Sequence, residues 1–212
     1  MATPGDEGLP VVGIKDVTQF NDFTLHNTTL LNLRLCPTGS EETAYYVTNK
    51  ELKAPEGPDV KLHRGTDKDA PIVGVSKLPL SGSNTVGLGD YSEADVKNDM
   101  VWETLQCTSK WSHANYEYEF SFGGSLESRT KFEWRRVKKI PITGPFYMQL
   151  VELSNPDVVL GAFFPGSGMR LKIRGRLLVR KGYGDDWEKM ALLTGLSLIE
   201  LARRRLRRRH FK

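Results

Sequence analysis

Along most of this chain apolar and polar residues alternate with period two, and the period changes only near the C-terminal end. In residues 116–122 (YEYEFSF), Tyr116, Tyr118, Phe120 and Phe122 fall on one face, and Glu117, Glu119 and Ser121 on the other. Alternation this strict predicts a half-buried strand. Runs rich in β-branched, aromatic and apolar residues predict further strands at 23–35, 43–48, 60–63, 72–78, 130–138, 147–153, 158–164 and 170–179. The segments 154–157 (SNPD) and 165–168 (PGSG) read as hairpin connections, and 81–90 (SGSNTVGLGD) as a longer one. Consecutive strands joined this way predict an antiparallel meander.

After residue 184 the pattern becomes helical. Asp185 or Asp186 is placed to cap a helix, with Glu188 in its first turn, where the macrodipole favours a carboxylate. Met190, Leu192, Leu193, Leu196, Leu198, Ile199 and Leu201 then spread around the whole circumference at 100° per residue. A helix apolar all round is enclosed, by protein or by lipid. This run is roughly 20 Å long at 1.5 Å per residue and contains Glu200, so enclosure by protein is expected. The predicted fold is mostly β: a closed antiparallel β-barrel of about 12 strands around a buried C-terminal hydrophobic α-helix. The predicted organisation is a flexible arm at 1–16, a barrel domain at 17–202 that includes the helix at 186–202, and a basic tail at 203–212.

Composition sharpens this picture in three ways. The chain has 212 residues, 39% hydrophobic and 26% charged, enough for a sizeable core and against global disorder. It has no run of eighteen apolar residues, and its start, MATPGDEGLP, shows no secretory signal pattern. The net charge of +4 comes from 203–212 (RRRLRRRHFK), which holds seven of the basic residues and no acid. The remainder is slightly acidic, which disfavours a nucleic-acid-binding body. Cys36 and Cys107 are too few for a disulfide framework, so a reducing compartment is expected: cytoplasmic, at a membrane surface, or nuclear.

The segments 130–138 (TKFEWRRVK), 155–165 (NPDVVLGAFFP) and 170–179 (RLKIRGRLLV), with the closing helix and RRRLRRR, resemble the tubby C-terminal-like superfamily. That group includes LURP-one-related proteins and phospholipid scramblases, and the likeness is greatest to uncharacterised fungal members. It spans about residues 20–210 and rests on the order of elements. The resemblance implies a roughly twelve-stranded barrel around a hydrophobic helix. Tubby domains bind phosphoinositides and scramblases act on bilayers, but no residue motif here carries either site.

Catalytic signatures are absent from the sequence. His26, His63, His113 and His210 lack metal-ligand spacing, Ser167 sits in a turn rather than a GxSxG elbow, and no P-loop occurs. No catalytic residue, metal or cofactor is expected. Two basic features remain. Along 170–180, Leu171, Ile173, Leu177 and Val179 point one way, and Arg170, Lys172, Arg174, Arg176 and Arg180 the other. Residues two apart on a strand are about 6.6 Å apart, so this face reads as a ladder of cations. The tail adds Arg203, Arg204, Arg205, Arg207, Arg208 and Arg209, which are expected to reach water. The expected function is a non-enzymatic, monomeric module binding acidic membrane lipids. The alternatives are a domain for an acidic protein partner or an import receptor, with nucleic acid less favoured, and a scramblase-like or tail-anchored membrane protein.

Overall fold

The computed structural model describes residues 14–50, 57–91, 100–109, 115–122, 129–137, 147–166 and 172–210. Twelve strands follow one another: β1 (Phe20–Asn27), β2 (Leu33–Pro37), β3 (Tyr45–Asn49), β4 (Val60–Arg64), β5 (Ile72–Lys77), β6 (Asn84–Leu88), β7 (Val101–Cys107), β8 (Asn115–Ser121), β9 (Arg129–Arg136), β10 (Met148–Glu152), β11 (Asn155–Pro165) and β12 (Ile173–Arg180). Each pairs antiparallel with the next, and β1 pairs with β12 to close the barrel. The helix α1 (Asp185–His210) occupies the interior.

The sequence pattern merged β1 and β2 into one strand. The break is at Thr29, whose hydroxyl accepts from the backbone N–H groups of Leu31 (3.1 Å) and Asn32 (2.9 Å). This turns the chain inside a segment whose β-branched residues read as strand. β6 lies in the glycine-rich segment that reads as a connection, and β7 is an additional strand.

Inward positions follow the predicted alternation. Tyr116, Tyr118 and Phe120 of β8 and Phe132 and Trp134 of β9 are buried, and they meet Trp187, Met190, Leu192, Leu193, Leu196 and Ile199 of α1 in one core. The two hydroxyls inside α1 are satisfied. Thr194 donates to the Met190 carbonyl (2.8 Å) and accepts from Trp134 Nε1 (2.9 Å), while Ser197 donates to the Leu193 carbonyl and accepts from Ser76 (both 2.6 Å). Among the described residues, no helix is long and apolar enough to cross a membrane. The expected boundary at Ala202 is corrected: α1 continues to His210, so the basic run is helical and is not a separate tail.

Candidate functional site

The N-terminus of α1 lies at the barrel end where Arg64 closes β4, and its C-terminus at the opposite end, beside Asp59 and Tyr116. The first end carries a cluster of acids, two of them paired with Arg64 and Lys189. Asp185, Asp186 and Glu188 occupy the first turn of the helix, and Asp67 and Asp69 lie in the connection that follows β4. The second end carries the arginines.

Those arginines divide into two groups, and this corrects the expectation that all of them reach water. Glu200, only 2% exposed, accepts from Arg203 Nε and Nη2 (both 2.6 Å) and from Arg204 Nε (2.7 Å). Arg204 is itself buried and also donates to Asp59 (2.8 Å) and the Leu78 carbonyl (3.2 Å). Burial lowers the pKa of its guanidinium, but Glu200 and Asp59 outweigh it and hold the group above its ordinary value. These charges fasten the helix to β4 and to the segment after β5. Arg205 donates to the Tyr116 hydroxyl and lies over that ring, 5.9 Å from its centre. Arg208 is exposed, and Arg207 is half-buried one turn beyond Arg203 on the same helix face. Arg209 is helical, but its side chain lies outside the described residues.

The cation ladder of the last strand is also corrected. Leu25 pairs with Gly175 and His26 with Ile173, so Arg174 is an extra residue, a β-bulge. The bulge reverses the facing of the strand start, and Arg174 turns to the barrel mouth, where it lines a small cavity with Asn27, Asn49, Glu200 and Arg203. Glycine is needed next in the chain, because a Cβ at residue 175 would collide with the Phe164 carbonyl oxygen. Arg176 stays on the outer wall and is neutralised by Asp22. Arg180 donates to Gln19 (2.8 Å), and Lys172 is an exposed turn residue. Arg170 lies outside the described residues. The structure thus brings Arg174 together with Arg203 and Arg207, and separates them from Arg176.

Two wider crevices open elsewhere. One, of about 350 Å³, lies at the acidic end among Asn21, Asp22, Tyr45, Arg64 and Glu188. Its Tyr45 hydroxyl donates to Glu188 (3.2 Å), and burial beside that carboxylate pushes the phenol up to about 12. The other, of about 420 Å³, follows a seam where, among the described residues, the register of β7 with β8 runs over Gln106–Glu117 and Cys107–Tyr116. Glu103, buried on β7, reaches Arg129 on β9, which also holds Glu119. The ion pair bridges the seam from β7 to β9.

Burial raises the Glu103 carboxyl above its ordinary pKa, against the opposing pull of Arg129. A carboxyl raised in the folded state keeps its proton longer there than in the unfolded chain. Its contribution to stability is therefore full below the unfolded pKa and is lost as pH rises through the raised one. Glu103→Gln should steepen the fall in stability on the acid side, because it removes a contribution that grows as pH falls. At pH 7 it should leave the urea midpoint unchanged or slightly raised, by no more than about 1 kcal/mol. A loss larger than that would mean that the charged clip itself holds the seam.

Comparison of the chain with family models, curated proteins and solved structures gives no match. What defines the molecule is its own architecture: a twelve-stranded barrel threaded by a helix, with ion-paired acids at one mouth and an arginine cluster at the other.

Proposed function

We propose that this protein is a non-enzymatic module that docks its basic end on membranes containing acidic phospholipids. One observation carries the reading: unpaired cations gather at one end of the barrel. At the C-terminal end of α1, Lys172, Arg174, Arg205, Arg207 and Arg208 have no carboxylate within ion-pair distance among the described residues. The opposite mouth holds Asp185 and Asp186 in ion pairs with Arg64 and Lys189 and leaves Asp67 and Asp69 without an ion pair among the described residues. Such a distribution turns the molecule as well as attracting it, because an acidic surface pulls most strongly on the end whose cations are unpaired. Each cation near an acidic leaflet contributes about 1 kcal/mol, within a Debye length of roughly 8 Å at physiological salt. A handful of cations gives weak, reversible attachment. The barrel and its threaded helix also accord with the resemblance to tubby C-terminal-like proteins, and membership of that superfamily is part of the same proposal.

The test is cosedimentation with vesicles. The full chain should pellet with phosphatidylcholine vesicles that contain phosphatidylserine, should stay in solution with phosphatidylcholine alone, and should be released when salt is raised severalfold. The double variant Lys172→Gln/Arg208→Gln should bind several times more weakly with an unchanged melting temperature, since both side chains are exposed. A wild type that ignores acidic vesicles at low salt would overturn the reading. Retention of an acidic protein or nucleic acid through Arg208 would then assign the basic end to a macromolecular partner.

A further inference from the structure

The cations at this end are of two kinds, exposed and recessed, and the recessed ones show an arrangement that surface docking does not need. Arg203 gives Nε and Nη2 to Glu200, but its Nη1 is buried with no hydrogen-bond partner. A guanidinium has five N–H donors, and a buried donor left without an acceptor costs free energy. Beside it stands Arg174, turned inward by the bulge and without an ion-pair partner among the described residues. Burial, together with the nearby charges of Arg203 and Arg207, lowers the pKa of the Arg174 guanidinium.

Charge at the mouth does not balance. Arg203 and Arg204 are matched by Glu200 and Asp59. Arg174 and Arg207 are left over, both close enough to feel each other's charge. Proteins do not gather like charges in a half-buried recess without cost. A bulge and an obligatory glycine nevertheless place Arg174 there. The cavity that it lines with Arg203 is about 10 Å³, close to the volume one water requires. It has room for a single oxygen atom.

We propose that the recess between Arg174 and Arg203 is a binding site for one tetrahedral dianion, the terminal phosphate of a phosphomonoester. A dianion offsets the two surplus cations, where a carboxylate or chloride offsets one. Phosphate oxygens also suit the planar fork of an arginine better than a spherical ion does. One oxygen enters the recess and accepts from Arg203 Nη1 and Arg174. A second lies within reach of Arg207, and the ester oxygen points to solvent. The inference rests on the reading of this end as the anion-facing one, but it uses residues distinct from the exposed Lys172 and Arg208.

Thermal unfolding of the full chain, at constant ionic strength set with chloride, tests the site. Inorganic phosphate and glycerol 3-phosphate should each raise the melting temperature by a few degrees in a saturable way. Arg174→Gln should weaken that response about tenfold or more. The same variant should melt no lower than the parent without phosphate, because it removes an unmatched charge. Lys172→Gln/Arg208→Gln should keep the phosphate response while binding vesicles several times more weakly. A parent that does not respond to phosphate, or an Arg174→Gln variant that responds as the parent does, overturns the site whatever the vesicle result. Vesicles of matched surface charge separate the sources. Preference for phosphatidic acid over phosphatidylserine assigns the phosphate to a lipid headgroup. Equal binding, with the phosphate response intact, assigns it to a soluble phosphomonoester.

Discussion

Glu200→Ala should destabilise the protein by about 3–5 kcal/mol, the usual result of removing one partner from a buried ion pair. The carboxylate is 2% exposed, and it is the shared acceptor for Arg203 and Arg204. Without it Arg203 has lost its carboxylate and Arg204 keeps only Asp59 and the Leu78 carbonyl. Arg174 beside them then adds to an unbalanced positive charge. For a chain of this length the loss corresponds to a fall in melting temperature on the order of 10 °C. Glu200→Gln should lose less, since its amide oxygen still accepts from one arginine. The double variant Glu200→Ala/Arg203→Ala should recover part of the loss, because it removes a stranded cation with its partner. If Glu200→Ala unfolds within about 1 kcal/mol of the parent in urea, water already screens the arginines and the network is not a fastening.

Gly195→Leu is expected to cost about 3 kcal/mol, the upper end of what overpacking a core costs. A Cβ on residue 195 would lie 3.2 Å from Trp134 Cζ2 and 3.3 Å from Leu177 Cδ1, both on the barrel wall. The Trp134 ring cannot swing aside, because it is wholly buried and tied to Thr194 on the neighbouring helical position. Gly195→Ala introduces only that Cβ. Its crowding should roughly cancel the gain of about 1 kcal/mol that alanine brings to a helix interior. An unchanged denaturant midpoint for Gly195→Leu would show that this turn of the helix is not enclosed.

The fold was legible where its causes are local. The alternation of Tyr116, Tyr118 and Phe120 marks β8, and the apolar circumference of α1 requires a container, which only a closed sheet supplies here. What escaped has causes far apart in the chain. β7 hides its period because Glu103, an acid, takes an inward position and finds its partner on β9. Asp59 sits in a turn-rich stretch that reads as solvated. Nothing near it foretells Arg204, which arrives 145 residues later. The arginine run reads as a solvated tail for the same reason. The inward turn of Arg174 depends on a bulge defined only by the register against β1, so a strand pattern with period two puts that side chain on the wrong face.

The order of the elements has a consequence for how the chain is made. A ribosome completes all twelve strands before it releases the helix that fills them, and the seam that closes the cylinder joins β1 to β12, the first strand made to the last. A sheet grown in that order carries its apolar lining uncovered through nearly all of its synthesis. Contacts this distant along the chain form slowly, and exposed linings invite aggregation meanwhile. Folding to the native barrel is therefore completed only after residues past 185 have cleared the exit tunnel.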